Sequence, residues 1–196
     1  MTAEPYCVLG IDPASTGATG FGVVEREGNR CRMLRLGAVR PSSRLSVAAN
    51  THLCQIHREI TELIQEFQPR AVALESVFAA LNVKAALRLA EVRGVVLLAA
   101  AQAGVPSFSY SPREVKATVA GYGHAGKEQV QQMVRALLSM TETPEPADAA
   151  DALALALCHI QIAEAQERIA NCYGGPAASA ILLKTKRRPA SYPKTT

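Results

Sequence analysis

The chain has no tryptophan, only 5% aromatic residues and no C-x-x-C pair. Its five cysteines (Cys7, Cys31, Cys54, Cys158, Cys172) are odd in number and widely spaced. That pattern argues against a disulfide framework; most of the five fall in apolar periodic segments and read as reduced core residues of a cytosolic protein. No stretch approaches the roughly 18 uncharged apolar residues that span a bilayer. The N-terminus also lacks the basic region, apolar core and small-residue cleavage site of an export signal. These absences predict a soluble, cytoplasmic protein with no membrane partner. Acid is missing from the last thirteen residues, which carry Lys184, Lys186, Arg187, Arg188 and Lys194. The net charge is +4, and without this segment it is 16 basic against 17 acidic residues, or −1. With two prolines and no apolar periodicity, KTKRRPASYPKTT predicts disorder. The expected organisation is one globular domain over residues 1–175 and a basic tail over 176–196, which would serve solubility or add nucleic-acid affinity.

What remains is ample for one core: 196 residues, 48% of them hydrophobic. YCVLGID (6–12), TGFGVVER (19–26) and CRMLRLGAV (31–39) have strand length and are separated by turn signals, which predicts an antiparallel meander. From Leu45 to Phe67 the apolar spacing becomes helical and ends at Pro69. AVALE then reads as a buried strand, 82–103 as a helix and VPSFSY as a short strand. PREVKATVA opens a helix with Pro112 in its first turn, and 126–139 and 146–170 make two more. The order βββαβαβααα predicts a mixed α/β fold with a five-stranded central sheet flanked by helices.

Four carboxylates occupy positions from which side chains can converge. Asp12 ends the first strand before Pro13 and a small-residue turn, at the sheet edge where α/β folds bind ligands. Glu75 ends the fourth strand in the same way. Asp148 and Asp151, three apart at a helix start, share one face and are favoured there by the helix dipole. Singly, Asp12 could be a turn former and Asp148 a helix cap. Together they would repel one another by several kcal/mol unless one or two divalent cations offset their charge. Two such ions about 4 Å apart suit in-line displacement at phosphorus, hence phosphodiester hydrolysis.

GIDPASTGATGFG, ALESVF, AEVRGV, REVKATVAGYGHAGKEQV and ADAADALALAL, in this order and spacing, resemble the RuvC-type Holliday junction resolvases. The resemblance covers about residues 6 to 160. It implies a ribonuclease-H-like fold and a homodimer that nicks two opposing strands of a four-way DNA junction. It also implies Mg²⁺ (two ions per subunit, with Mn²⁺ as substitute) on the catalytic acids Asp12, Glu75, Asp148 and Asp151. RuvA and RuvB would be partners, as the branch-migration motor. Phe78 would stack on an unpaired base, where its alternative is core packing. Lys116 and Lys127 would lie near the scissile phosphate and DNA backbone, where their alternative is a solvated helix face. Arg93 would meet DNA or the dimer partner, or cover core with its stem.

Other residues weigh less. His52, His57 and His159 are not expected to be ligands, and His124 lies in a Gly-rich loop that could approach DNA or simply connect. Ala14 stands where the family has glycine, so a positive φ there would strain the metal loop. The chain is too short for a sugar-kinase or actin-like ATPase and lacks the second phosphate loop. A non-catalytic junction-binding module would not need all four acids. A ribonuclease-H-like enzyme acting on RNA precursors is the main alternative.

Overall fold

The computed structural model describes residues 5–15, 17–40, 49–76 and 83–173. Their elements are β1 (Tyr6–Asp12), β2 (Thr19–Glu27), β3 (Arg30–Val39), α1 (Ala49–Phe67), β4 (Ala71–Glu75), α2 (Val83–Gln102), β5 (Ser107–Tyr110), α3 (Pro112–Ala120), α4 (Lys127–Leu137) and α5 (Ala147–Tyr173). The expected order βββαβαβααα is therefore found. The sheet runs β3-β2-β1-β4-β5. β1, β2 and β3 pair antiparallel, as a meander must, while β4 and β5 join parallel to β1. The helices between β3 and β4 and between β4 and β5 supply the long crossovers that parallel pairing requires.

Alternation along β1 divides the molecule into two layers of packing. Cys7, Leu9 and Ile11 face a core shared with Ile56, Ile60, Leu63 and Ile64 of α1 and Val92, Val96 and Ala99 of α2. The opposite face carries Tyr6, Val8, Gly10 and Asp12 and receives α5. Here glycine is required by contact. A Cβ on Gly10 would lie 2.0 Å from the Ala152 carbonyl oxygen, and one on Gly20 would lie 2.0 Å from that of Asp148. A Cβ on Gly22 would run into the Leu153 side chain at 2.7 Å. Gly10 and Gly22 are partners across the β1–β2 pair. The three glycines form a shallow track on which the α5 backbone rests, and Ala149, Ala152 and Ala156 keep the helix side of it small and buried.

α3 begins without a linker. Ser111 caps it, its hydroxyl accepting from the Glu114 backbone N–H at 3.2 Å while the Glu114 carboxylate accepts from the Ser111 N–H at 2.8 Å. Pro112 occupies the first turn, so α3 is locked to the end of β5. Cys7 and Cys158 are buried, but Cys31 is half-buried and Cys54 and Cys172 are exposed, so only two of the five join the core. Cys54 falls on the solvent-facing side of α1, Cys31 lies on the edge strand β3, and Cys172 lies in the last turn of α5. Ala14 carries no strain: among the described residues, positive φ outside glycine occurs at Gln68 and Ser139, and the turn after β1 takes its positive φ at Gly17. The compact unit ends at Ile160, and residues Gln161–Thr196 form a second unit. The basic tail expected over 176–196 lies outside the described residues, as does Phe78.

Candidate active site

Register alone brings Asp12 and Glu75 together. β1 and β4 pair parallel with Gly10 opposite Ala73 and Ile11 opposite Leu74, so the next positions, Asp12 and Glu75, fall side by side on the α5 face. Their carboxyls share a hydrogen bond. α5 runs antiparallel to β1 along the glycine track and sets its first turn over the same edge. Asp151 lines the cleft beside Asp12 and Glu75, and Asp148 lies one turn nearer the helix start, with its backbone against Gly20. The charges of Glu75, Asp151 and Asp148 all act on Asp12. The cleft has a volume of about 240 Å³ and is walled on its far side by Pro112, Val115 and Lys116 of α3 and Lys127 and Val130 of α4.

The electrostatics are those of a site short of positive charge. Burial first, then the carboxylates of Glu75, Asp151 and Asp148, push the Asp12 carboxyl up to about 8, against a smaller opposing pull from Lys127. Glu75 is raised as well, by burial and then by Asp151, while the hydrogen bond from Asp12 pulls it down. Asp151 is compensated differently: Lys127 donates to its Oδ2 at 2.8 Å, and this bond holds the ammonium above the usual lysine range. Lys127 is the first residue of α4, after the Gly126 N-cap, so the ammonium reaches the acids from the opposite wall.

This donor set fits a hard divalent cation, since carboxylate oxygens from two strands and a helix converge on one cleft open to a phosphate. Among the described residues, no three acids stand closed around a single point as they lie. The hydrogen bond between Asp12 and Glu75 and the Lys127 ammonium on Asp151 offset part of the charge that a cation would balance. All four predicted acids are thus brought to one sheet edge, with Asp148 reaching Asp12 by charge and not lining the cleft. Lys116 and Lys127 face that edge. Arg93 is turned inward: its guanidinium donates to the Glu75 carbonyl oxygen at 2.6 Å and to Ser109 Oγ at 2.5 Å. It ties the end of β4 to β5 and fixes the backbone that presents Glu75. Partial burial lowers its pKa.

Two features escaped sequence reasoning. His159, 3% exposed, meets the Tyr6 hydroxyl at Nε2 (2.9 Å) and the Tyr110 hydroxyl at Nδ1 (2.7 Å), with the Phe108 ring 4.5 Å away. Burial pushes it down to about 4. It pins α5 to the two strands that flank β4, two helical turns below Asp151. Its signal was present in the aromatic residues Tyr6, Phe108 and Tyr110, which share one sheet face by alternation. The second is the glycine track, whose signal was G-x-G in GFG opposite Gly10.

A five-stranded mixed sheet with an α5 carrying acids against β1 and β4 defines a ribonuclease-H-like nuclease. Residues 8–159 match the family model described as crossover junction endodeoxyribonuclease RuvC. The chain is 46% identical over 152 residues to the crossover junction endodeoxyribonuclease RuvC of Desulfitobacterium hafniense (strain DSM 10664 / DCB-2), covering 78% of this chain and 90% of that one. It is 44% identical over 160 residues to the same enzyme of Chloroflexus aggregans (strain MD-66 / DSM 9485), covering 82% and 96%. A solved structure of Thermus thermophilus RuvC in complex with Holliday junction substrate superposes with a TM-score of 0.75 at 40% identity, covering 81% of this chain and 94% of that one. The chain belongs to the RuvC family.

Proposed function

We propose that this protein resolves Holliday junctions, acting as a homodimer that nicks two opposing strands of a four-way DNA junction by metal-dependent phosphodiester hydrolysis. The observation that carries the reading is the gathering of Asp12, Glu75, Asp148 and Asp151 at one edge of the sheet, with Lys116 and Lys127 on the facing wall. These four acids would hold Mg²⁺, two ions per subunit, with Mn²⁺ as substitute. The bound ions would supply activation of water and stabilisation of the leaving oxygen.

The remaining work falls to the chain itself. Val115 and Val130, with the Pro112 ring, dry one side of the cleft, which strengthens the field of the charges within it. Lys116 and Lys127 would neutralise phosphate charge on either side of the scissile bond. Arg93 would act through Glu75, by holding the backbone at the end of β4. Phe78, three residues past Glu75, would stack on a base freed at the junction.

The exposed face of α2 supports the homodimer reading. Val83, Leu87 and Leu98 of α2 are 75%, 60% and 52% exposed. With exposed Ala90, Gly94 and Ala101 they fall within about 80° of arc on the helix. The stripe lies opposite Val92, Val96 and Ala99, which face the core. A helix that is apolar on two faces needs two partners, and an isologous contact with a second α2 would place two sites in the two-fold relation a junction presents. RuvA and RuvB would deliver the junction.

The test is a synthetic mobile four-way junction incubated with the purified protein and Mg²⁺, with the cut strands resolved on a denaturing gel. Paired nicks at symmetric positions, absent from duplex controls, are expected. Binding without cleavage in either Mg²⁺ or Mn²⁺ would point to a non-catalytic junction module. Preference for a structured RNA over the junction would overturn the assignment.

A further inference from the structure

The Lys127 ion pair has a geometry that phosphate neutralisation alone does not explain. A lysine that only met DNA would extend from α4 into solvent, and the Lys127 side chain is 57% exposed, free to do so. Instead its Nζ is 2.8 Å from Asp151 Oδ2, across the cleft and 24 residues away in sequence. Asp151 is one of the acids that would ligate an ion, and its Oδ2 cannot serve an ammonium and a divalent cation at full strength together. Of the three other clustered carboxyls, Asp12 and Glu75 are meanwhile joined to each other by a hydrogen bond. The charge of the cluster is therefore offset only in part from within, and the ammonium on Asp151 must leave when a cation takes that oxygen.

We propose that Lys127 is a tethered counter-cation: its ammonium holds Asp151 in place while the site lacks metal, competes with the divalent ion for that carboxylate, and is freed toward the DNA backbone when the ion binds. This rests on the metal-dependent reading above. Its consequence is that loading of the acids and presentation of the Lys127 charge to phosphate are one event. A junction arriving at an unloaded site meets a cleft whose nearest cation is already engaged. Because the ammonium is attached at the first residue of α4 and not buried, the exchange requires only side-chain rotation, with no change in the fold.

The test is Mn²⁺ binding to the full-length protein without DNA, measured by titration calorimetry and by the electron paramagnetic resonance of free Mn²⁺. Lys127→Met keeps the stem and removes the ammonium. It should bind Mn²⁺ about fivefold more tightly than wild type, the size of effect expected from a partly exposed ion pair. Lys127→Arg should restore the wild-type affinity. Lys116→Met, which removes a cation from the same cleft but not the one bonded to Asp151, should change affinity by less than about twofold. Junction cleavage by Lys127→Met should stay below wild type even at saturating Mn²⁺, because the freed charge is also missing from the loaded site. Equal or weaker Mn²⁺ binding by Lys127→Met overturns the proposal, as does an equal gain from Lys116→Met, which would mean general field and no specific exchange. Full cleavage at saturating Mn²⁺ overturns the delivery to DNA. Asp12→Asn separates the two layers: if it leaves Mn²⁺ affinity unchanged, the metal site itself is misassigned and both readings fall.

Discussion

Asp12 is held where a carboxylate is least comfortable: at the end of a buried strand, with three other acids acting on it. Its neutral isostere would relieve that burial and repulsion and so raise stability, but it would take from the site a carboxylate that the chemistry needs. Asp12→Asn should therefore lower junction cleavage by at least about a thousandfold, in line with loss of a group that positions the reacting centre, while junction binding changes by less than about threefold. Gel-shift and cleavage assays on one preparation decide it; parallel loss of both would assign Asp12 to folding. The residue type, the strand end and the small-residue turn made Asp12 and Glu75 legible from sequence, because parallel register and alternation follow from the apolar pattern. Arg93 was not legible in the same way. Its two acceptors, a backbone carbonyl at Glu75 and the Ser109 hydroxyl, lie 18 and 16 residues away, and no local pattern marks a carbonyl as an acceptor for a distant guanidinium. His159 was missed for a related reason: in an Ala- and Leu-rich helix nothing local shows that two tyrosine hydroxyls arrive from β1 and β5.

At the scale of elements, the site depends on how closely α5 approaches the sheet. The helix order and the meander could be read from periodicity and turn residues, since each element has its own spacing and punctuation. The distance between layers could not, because it is set by the absence of side chains at Gly10, Gly20 and Gly22, and an absence has no periodicity. Gly20→Ala is the sharpest probe: its Cβ would fall 2.0 Å from the Asp148 carbonyl oxygen, a backbone atom that cannot swing away. The helix start must lift by an ångström or more, carrying Asp148 with it. Cleavage should fall at least about a hundredfold for so large a misplacement, and thermal stability should drop by several degrees, whereas Gly94→Ala, where a Cβ meets nothing within 4 Å, should leave the fold's stability unchanged or slightly raised. Equal behaviour of the two variants in calorimetry would show that the close approach is not what fixes α5. α2 supports a second prediction at this scale. Leu87→Glu places a charge in the middle of the exposed apolar stripe without touching the Val92 and Val96 face. Light scattering should show the mass of one chain where wild type shows two, and paired nicking should give way to single nicks. A wild-type mass of one chain would remove the stripe as a dimer surface.

For the whole molecule, two buried groups at opposite ends of the α5 contact give stability a pH dependence of opposite sign. His159 is neutral and hydrogen-bonded in the fold, with a pKa lowered by burial to about 4 from 6.5. Between those values the unfolded chain takes up a proton that the fold refuses, so stability is present above about pH 6.5 and is lost as pH falls toward 4. Asp12 behaves in the reverse sense. Burial, then its acidic neighbours, raise it from 3.8 to about 8, so between those values the fold holds a proton that the unfolded chain has released, and stability declines as pH rises. Over pH 4 to 6.5 the His159 slope opposes that of Asp12, to which Glu75, also raised by burial and by Asp151, adds; from 6.5 to 8 the acid pair acts unopposed. Calorimetry of the metal-free protein in chelator should show a decline in melting temperature that His159 offsets in part across the lower range and that is unopposed across the upper one. The fall should correspond to roughly 1 to 2 kcal/mol, from about 1.4 kcal/mol per unit of pH over that range. Asp12→Asn removes the Asp12 slope: its melting temperature should fall less with rising pH than that of wild type, exceeding it most at pH 8. Saturating Mg²⁺ should abolish the wild-type decline above pH 6.5, because a cation on the acids replaces the proton that Asp12 otherwise keeps. A decline that persisted in Mg²⁺ and in Asp12→Asn alike would place its origin outside the acid cluster.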